Sequence, residues 1–274
     1  MQISASIVLY DNKKEIVLEA IKSFLSTSLD VKLYLIDNSK NDTLKSLGEV
    51  DKRITYIYNN ENLGFGKAHN IALQKSLMDF TSYHLVLNPD VSFNKGVLES
   101  LLSYLQQNSD VALVMPKVYY PNGSLQYTCR RLPTPFDLII RRFIPKSIHL
   151  FDNAKKEYEL HDFGYDKEMN IPFFLGSFMF LRTDALREVG VFDENIFLYM
   201  EDLDLCRRLH QKYKTMFYPY VSITHIHARD SYKNYGLLKE HIKSTIYYFN
   251  KWGWFFDKER KEINNALSKR IKGL

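Results

Sequence analysis

The chain has 274 residues and a formal net charge of +5, from 37 Lys and Arg against 32 Asp and Glu. Hydrophobic residues make up 45% and charged residues 25% of the sequence, which excludes a disordered chain, a collagen and a coiled-coil rod. A chain of this length can bury a large core in one domain or two. The small excess of positive charge suits a nucleotide, an anionic lipid or a nucleic acid and does not select among them.

The cysteines and the apolar segments bear on the cellular compartment. Cys129 and Cys206 form neither a disulfide framework nor a zinc-binding spacing, so we expect reduced thiols in a cytoplasmic protein. The N-terminal residues lack the features of a signal peptide. The longest apolar stretch, 171–181, is too short to cross a bilayer. We therefore expect a protein that is soluble or bound to a membrane surface.

The first 115 residues alternate predicted strands with predicted helices. Strands are predicted from short apolar runs, and helices from apolar positions three or four residues apart. In chain order, the predicted elements are strand 3–10, helix 13–28, strands 31–36 and 54–58, helix 65–80, strand 84–87, helix 95–107 and strand 111–115. This order predicts a mostly parallel sheet covered by helices, with ligands bound beyond the carboxyl ends of the strands.

The second half of the chain is less regular. Residues 117–172 contain five prolines and little periodicity, which predicts an irregular insertion. Regular structure resumes with predicted strands at 173–182, 216–218 and 222–227, predicted helices at 184–189 and 201–213, and helix from 237 to the end. We expect one continuous domain over 1–230 and a C-terminal helical tail over 231–274.

Polar residues follow several of the predicted strands. Tyr10 and Asp11 follow the first strand, Asp37 follows the second, and Asn88-Pro89-Asp90 follows the fourth. In a parallel sheet these positions converge on one edge, where ligands bind.

A loop with two glycines opens the helix predicted at 65–80. Its candidate ligand-binding positions are Asn62, Gly64, Gly66 and Asn70. The loop is not a dinucleotide-binding fingerprint, because His69 occupies the place of the third glycine and the loop does not follow the first strand. Two interpretations stay open: a tight turn that starts the helix, or a backbone that approaches a ligand closely while the asparagines supply hydrogen bonds.

The Asn88-Pro89-Asp90 segment is a candidate cation site. Proline forces the preceding residue into an extended conformation, and side chains two residues apart in an extended segment point the same way. Two oxygen-bearing side chains can then face one hard divalent cation or a ribose. The alternative is a simple Asx turn, since all three residues are common in turns.

Acidic and imidazole side chains mark two further segments. Glu201 and Asp202 begin a predicted helix, where carboxylates are also favoured by the helix dipole, and Asp204 can pair with Arg208 one turn later. A side chain in that first turn, such as Asp202, can reach a pocket as a general base.

His225 and His227 share one face of a predicted strand. Two interpretations stay open: the two imidazoles bind a metal or a diphosphate, or they serve only the packing of the strand.

In their order and spacing, these motifs resemble family 2 glycosyltransferases with the GT-A fold, in the style of bacterial rhamnosyltransferase-like members. The resemblance covers about residues 3–230 and rests on segments 6–12, 36–39, 62–66, 88–90, 176–177 with 191–194, and 201–204. It implies an α/β, Rossmann-like nucleotide-diphospho-sugar transferase fold, in which a mostly parallel sheet is flanked by helices and followed by a helical tail.

The resemblance also implies roles for individual residues. The donor would be bound by Tyr10, Asp11, Asp37, Asn62, Gly64, Gly66, Asn70 and Asn88. Asn88-Pro89-Asp90 matches the metal-binding Asp-x-Asp motif with Asn in the first position, so Mg²⁺ or Mn²⁺ would be held by Asp90 and Asn88, with His225 or His227 completing the site. Asp202 matches the catalytic base, and Glu201 is its close competitor.

The implied activity is an inverting sugar transfer from a dTDP- or UDP-sugar, rhamnose being one candidate. The acceptor would be a saccharide or lipid-linked saccharide of cell-surface polysaccharide synthesis. One alternative, a sugar-1-phosphate nucleotidyltransferase, is disfavoured because no Gly-rich loop with Arg or Lys follows the first strand. A second alternative is a non-catalytic nucleotide-sugar-binding protein. Nucleic-acid binding is disfavoured because acidic residues interrupt the basic ones in the tail.

The insertion and the tail are candidates for the acceptor side. The insertion contains Arg130, Arg131, Arg141 and Arg142, which flank Pro133 and Pro135. In the tail, Ile263, Leu267 and Ile271 recur every four residues among basic side chains. This stripe either lies on the inner face of the plasma membrane as a peripheral contact, or packs on the catalytic domain or on a second subunit of a homodimer.

Overall fold

The computed structural model describes residues 2–138, 152–226 and 235–273. Its strands are β1 (Ile3–Leu9), β2 (Val31–Asp37), β3 (Ile54–Tyr58), β4 (Tyr83–Leu87), β5 (Val91–Phe93), β6 (Val111–Tyr119), β7 (Cys129–Arg130), β8 (Met169–Asn170), β9 (Phe173–Phe174), β10 (Phe178–Arg182) and β11 (Lys214–His225). Its helices are α1 (Lys14–Leu25), α2 (Phe65–Met78), α3 (Val97–Gln107), α4 (Asp152–Tyr158), α5 (Thr183–Val189), α6 (Glu201–His210), α7 (Tyr235–Trp252) and α8 (Lys258–Lys272).

A central sheet of nine strands carries the fold. Neighbouring strands follow the order β3-β2-β1-β4-β10-β6-β11-β5, and β8 pairs with β11. Strands β1 to β4 are parallel, as are β6 and β11, while β10 runs antiparallel to both of its neighbours. Helices α1 and α3 each bury one apolar face against this sheet, which is the origin of their period of three to four residues. The mostly parallel sheet flanked by helices is confirmed.

Several predicted elements differ from the structure. The helix predicted from 237 to the end is two helices, α7 and α8, and β5 was not predicted. The strand predicted over 173–182 is two strands, because Ser177 N–H donates to the Leu175 carbonyl and turns the chain at Gly176. The first piece, β9, pairs with β7 outside the central sheet. The two strands predicted at 216–218 and 222–227 form the single strand β11, whose register with β6 shifts between Tyr218 and Ser222.

The insertion contains short elements that the sequence pattern did not predict, namely β7, α4 and β8. Two of its arginines pair within the chain: Arg130 lies 3.2 Å from Glu159, and Arg131 lies 2.5 Å from Glu157. These guanidinium groups are therefore already engaged by carboxylates of the same segment. Arg141 and Arg142 lie outside the described residues.

Buried polar side chains fix α2 to the sheet. His84 of β4 hydrogen-bonds Ser4 and Ser6 of β1 at 2.8 Å, and Ser6 also bonds His69 of α2 at 2.7 Å. Burial lowers the pKa of His84 to about 3 and lowers the pKa of His69 well below its usual value. Both imidazoles are therefore neutral at pH 7, and they act as hydrogen-bonding groups of the core.

The C-terminal helices pack on the core of the same chain. Tyr248 and Phe249 of α7 and Leu267 of α8 belong to the main hydrophobic cluster, and Ile263 and Ile271 pack against it. The stripe on α8 therefore faces the body of the protein, which was one of its two predicted locations. Within the described residues, no helix combines the length and the apolar character that a membrane crossing requires.

A buried cation ties α6 to the start of α8. The guanidinium of Arg207, only 1% exposed, makes two hydrogen bonds of 2.7 Å to Asp257 and one of 2.8 Å to Glu259. Its other face covers the ring of Trp252, with the guanidinium carbon 4.2 Å from the ring centroid. Asp257 also caps α8 by accepting the Arg260 N–H at 2.9 Å. Together these contacts anchor the tail.

Replacing one partner of this buried pair should be strongly destabilising. We expect Asp257→Ala to lower the free energy of unfolding by about 3–5 kcal/mol, because it leaves the Arg207 charge buried with a weaker set of partners. Urea denaturation measures this change. Glu262→Ala is the matched control, since the Glu262 side chain is 66% exposed and its removal should change stability little. Equal effects of the two substitutions would contradict the assignment.

Candidate functional site

The carboxyl ends of three parallel strands meet at one edge of the sheet. In the parallel register Leu9 pairs with Asp37, and Ile7 pairs with Leu87, so the segments that follow β1, β2 and β4 are neighbours. The Asn38 N–H donates to the Leu9 carbonyl at 2.9 Å. The structure thus brings the polar residues after these strands together, as the parallel order predicts.

The three residues predicted to contact a nucleoside differ in accessibility. Tyr10 and Asp11 are exposed, and Asp11 adopts a left-handed φ of 50°. Asp37 is fully buried: it accepts the Ser39 N–H at 2.8 Å and the Tyr56 hydroxyl at 2.5 Å. Burial, together with this bond to Asp37, raises the pKa of Tyr56. Asp37 therefore stabilises the ends of the strands, whereas Tyr10 and Asp11 face solvent.

A short relay connects Asp37 with Asp11. Ser39, which donates its N–H to Asp37, accepts the Asp11 N–H on its hydroxyl oxygen at 2.9 Å. Through Ser39, the buried Asp37 carboxylate thus fixes the backbone turn that carries the exposed Asp11 carboxylate.

The two loop glycines are required by contacts within the protein. A Cβ added at Gly64, whose φ is +81°, would lie 2.1 Å from the Phe197 carbonyl oxygen. A Cβ at Gly66 would lie 2.9 Å from the Phe192 Cβ. Phe65 N–H donates to the same Phe197 carbonyl at 3.0 Å. The close approach is therefore between this loop and the 192–197 segment, which fits the interpretation as a tight turn at the helix start.

The two asparagines of the loop also bond within the chain. Asn62 accepts the Gly64 N–H at 3.0 Å. Asn70, which is buried, accepts the Phe192 N–H at 3.1 Å, donates to the Phe192 carbonyl at 2.9 Å, and donates to Glu194 at 3.0 Å. Asn70 thus binds the backbone of the segment that leads to α6, a role its local sequence does not indicate.

The candidate base lies beside the candidate cation segment. One Asp202 oxygen accepts the Gly176 N–H at 2.9 Å, and the other accepts the Leu203 N–H at 2.8 Å. The next residue, Ser177, accepts the Asn88 N–H on its carbonyl at 2.9 Å. Only glycine fits at 176 without displacement, because a Cβ there would lie 3.0 Å from the Asp202 Cβ. The turn that interrupts the predicted strand therefore connects Asp202 to Asn88.

The chain enters α6 through strained backbone. Tyr199 and Met200 both have left-handed φ values, 66° and 71°, which residues other than glycine rarely adopt. The Leu198 carbonyl just before them is fixed by the Ser244 hydroxyl of α7 at 2.8 Å. Strain of this kind is retained where the surrounding contacts enforce it, and it clusters at functional sites.

Glu201 differs from its neighbour Asp202 in both burial and bonding. It is 5% exposed, and its Oε2 is the one carboxylate oxygen among the described residues that is enclosed without a hydrogen-bond partner. Burial, assisted by the charge of Asp202, raises the pKa of Glu201 well above its usual value. Burial thus favours the protonated form of Glu201, whereas two backbone N–H groups favour the ionised form of a carboxylate at Asp202. The two neighbouring carboxyl groups therefore lie in environments that favour different protonation states.

Asp90 and His225 form a candidate cation site. His225 Nε2 lies 3.3 Å from Asp90 Oδ1, and His225 Nδ1 lies 3.0 Å from Gln126 Oε1. Gln126 donates its amide to the His225 carbonyl at 2.6 Å, which turns its oxygen toward Nδ1. Nδ1 therefore carries the hydrogen, and in the neutral ring the Nε2 lone pair faces the carboxylate. Two such acceptors fit a shared cation.

This donor set is small. In the parts of the chain that the structure describes, no group of three or more His, Cys, Asp or Glu side chains could hold a metal. Asp90 and His225 would thus need neutral ligands such as Asn88, or ligands from the substrate, as Mg²⁺ commonly takes from phosphates. His227 lies outside the described residues. Sequence reasoning missed Gln126, whose partner is 99 positions away.

The raised pKa of Glu201 predicts a pH dependence of stability. In the unfolded chain Glu201 ionises near its usual pKa of 4.5, whereas the folded protein retains the proton to higher pH. Its contribution is therefore complete below pH 4.5 and is lost as pH rises through the raised pKa. Relative to Glu201→Gln, the natural protein should lose stability as the pH rises above about 4.5. Urea denaturation of both proteins over a pH series that starts below 4.5 tests this; parallel curves would contradict it.

Comparison with known proteins places the chain in a family. The model of glycosyl transferase family 2 matches residues 4–190. An N-acetylglucosaminyl-diphospho-decaprenol L-rhamnosyltransferase of Mycobacterium tuberculosis is 25% identical over 90% of this chain and 84% of its own length. The rhamnosyltransferase WbbL of Escherichia coli is 26% identical over 79% of this chain and 81% of its own length.

Solved structures share the fold. GalNAc-T7 with UDP, GalNAc and Mn²⁺ aligns with a TM-score of 0.61 at 14% identity, over 82% of this chain and 43% of that one. Residues 1–349 of S. aureus TarS in complex with UDP align with a TM-score of 0.60 at 13% identity, over 100% of this chain and 72% of that one. This chain thus spans less than half of the first structure and most of the second.

These likenesses confirm the GT-A fold predicted from the motifs. Of the enzyme classes that the sequence left open, they favour the glycosyltransferase over the nucleotidyltransferase. The family match covers well over half of the sequence and includes every strand from β1 to β10. The chain belongs to glycosyl transferase family 2.

Proposed function

We propose that the protein is an inverting glycosyltransferase that moves a sugar, rhamnose in the first instance, from a nucleoside diphosphate to a lipid-linked saccharide during cell-surface polysaccharide synthesis. The observation that carries the proposal is the anchored Asp202 carboxylate, joined through Gly176 and Ser177 to Asn88. The names of two relatives support rhamnose, and the diphospho-decaprenol in one of them supports a lipid-linked acceptor.

The proposed reaction is a single displacement. The acceptor hydroxyl oxygen attacks the anomeric carbon from the side opposite the diphosphate, and the bond to the diphosphate breaks with its electron pair leaving on the diphosphate oxygen. Asp202 accepts the hydroxyl proton. A carboxylate oxygen has two lone pairs, so an N–H bond to it does not by itself prevent it from taking a proton. One displacement inverts the anomeric configuration.

The donor would bind along the edge formed by the strand ends. Tyr10 and Asp11 are exposed there and can contact the nucleoside, whereas buried Asp37 acts through Ser39. A UDP- or dTDP-sugar satisfies these contacts. Asp90 and His225 would hold Mn²⁺ or Mg²⁺ with Asn88 as a neutral oxygen ligand, and Gln126 would orient the imidazole. When bound, the cation offsets the charge that develops on the departing diphosphate.

The base assignment predicts opposite results for two neighbouring carboxylates. Asp202→Asn should lower the rate of sugar transfer by about 10²–10⁴-fold, because proton removal is lost. Donor affinity, measured by calorimetry, should stay unchanged. Glu201→Gln is the matched control and should retain most of the activity, since burial already favours the neutral form of the natural side chain. Full activity in Asp202→Asn, together with loss of activity in Glu201→Gln, would mean that Glu201 and not Asp202 is the base. Donor binding without sugar transfer in the natural protein would instead favour a non-catalytic binding protein.

The cation site predicts a role for Gln126. Gln126→Leu removes the acceptor that fixes the His225 ring, so Mn²⁺ affinity should fall about 10- to 100-fold. Titration of free Mn²⁺ by electron paramagnetic resonance measures this without any turnover. Gln106→Leu, an exposed glutamine of α3, is the control and should bind Mn²⁺ as the natural protein does. Unaltered Mn²⁺ affinity in Gln126→Leu would show that the imidazole is not a ligand oriented in this way.

A further inference from the structure

The turn between α7 and α8 exposes aromatic side chains to solvent. We call Trp254, Phe255 and Phe256 the aromatic tip; Phe255 is 77% exposed and Phe256 is 101% exposed. Most other aromatic side chains of the tail helices are buried or half-buried in the body of the protein. These two adjacent phenylalanines are not part of the hydrophobic core, so most of their apolar surface is available to a partner.

The tip is held in place rather than frayed. Arg260 donates to the Trp254 carbonyl at 2.9 Å and to the Gly253 carbonyl at 3.4 Å. The Trp254 indole donates to Asn250 at 2.8 Å, and its ring lies 5.2 Å from the ring of Phe249, which is buried. A fixed backbone presents the two phenylalanines outward, which lowers the entropy lost on binding.

The apolar surface continues along α7. Ile242 and Ile246, one helical turn apart, are 43% and 45% exposed on the face opposite the buried Ser244 and Tyr248. Lys239 and Lys243 are exposed next to them. The outward face of the helix is therefore an apolar stripe with basic side chains beside it, a pattern typical of helices that lie in a membrane interface.

The charge of the protein is concentrated in the same region. Residues 235–273 contain nine Lys and Arg and four Asp and Glu, against 37 and 32 in the whole chain, so this segment accounts for the entire net charge of +5. Asp257 and Glu259, the acids nearest the tip, are engaged by Arg207. The Lys258 side chain is 90% exposed, and Lys261 is also exposed. Two exposed lysines thus follow the tip at the start of α8.

We propose that the aromatic tip and the outer face of α7 bind an anionic lipid bilayer. Aromatic rings partition into the interfacial region of a bilayer, and nearby lysines are attracted to anionic headgroups. A bilayer is favoured over a protein groove because each exposed apolar group has exposed lysines close to it in sequence: Lys258 and Lys261 follow the tip, and Lys239 and Lys243 accompany Ile242 and Ile246. The membrane contact therefore lies at the α7–α8 turn, and not on the α8 stripe, which the core covers.

The position of α7 gives this contact a consequence for the reaction, which rests on the proposed function. The helix holds the segment before Asp202 through the bonds from Ser244 to Leu198, 2.8 Å, and from Tyr247 to Asp193, 3.0 Å. A bilayer bound to its outer face would bring lipid-linked acceptors next to the candidate base. Binding to vesicles, in contrast, does not require the proposed activity.

Co-sedimentation of the full chain with vesicles tests the proposal. The natural protein should bind phosphatidylglycerol-containing vesicles and bind pure phosphatidylcholine much less. Phe255→Ser with Phe256→Ser should weaken binding at least about tenfold, because two rings no longer enter the interface. Phe80→Ser, which replaces a phenylalanine that is 80% exposed on another surface, is the control and should bind as the natural protein does.

The outcomes separate this proposal from the proposed function. Equal vesicle binding by the double variant and the natural protein overturns the proposal. A double variant that differs from the natural protein only in its oligomeric state, measured by sedimentation velocity, also overturns it, because the tip would then bind a second copy of the chain. Donor binding and transfer to a short-chain soluble acceptor should be the same in the double variant and the natural protein. Vesicle binding without any sugar transfer would leave the membrane contact intact and contradict the proposed function instead.

Discussion

The buried charge of Arg207 determines how the C-terminal helices meet the catalytic core. A guanidinium removed from water is stable only with carboxylates arranged around it. In this chain both carboxylates, those of Asp257 and Glu259, come from the start of α8. Arg207 itself belongs to α6, and this helix also carries Asp202 at its beginning. Asp204, between the two, is fully buried and bonds to Arg208, Lys251 and the Trp252 indole. The helix that presents the candidate base is thus fixed along its length by the tail.

A second constraint acts at the entrance of this helix. The segment before α6 is pressed against the loop that starts α2, where Gly64 leaves room for the Phe197 carbonyl and Asn70 binds the backbone of Phe192. These contacts hold Tyr199 and Met200 in a conformation that isolated residues avoid. Because α2 is itself fixed to the sheet by the His69 and His84 network, the contacts that enforce this strain are anchored in the core.

Much of the fold could be predicted from the sequence because it depends on local patterns. Apolar runs and helical periods identified β1 to β4 and their helices, and the parallel order placed Tyr10, Asp11 and Asn88 at one edge. The break at Gly176 could not be predicted, since its reason is a contact with Asp202 that is distant in sequence. The contacts that Asn70 and Gln126 make within the chain could not be predicted for the same reason: each bonds to a partner about a hundred residues away. The apolar stripe on α8 was predicted from its spacing, but a repeat of apolar residues does not determine which surface it packs against.

The link between α6 and the tail limits how this protein can be recombined with its relatives. Exchange of C-terminal segments between glycosyltransferases is an obvious way to alter acceptor choice, and residues 231–274 resemble a detachable module. A chimera joined before Asp257 would place a foreign helix against Arg207 and leave its charge without counterions. A functional graft must therefore transfer the arginine of the core and the acidic pair of the tail together, so the unit of exchange crosses the apparent domain boundary.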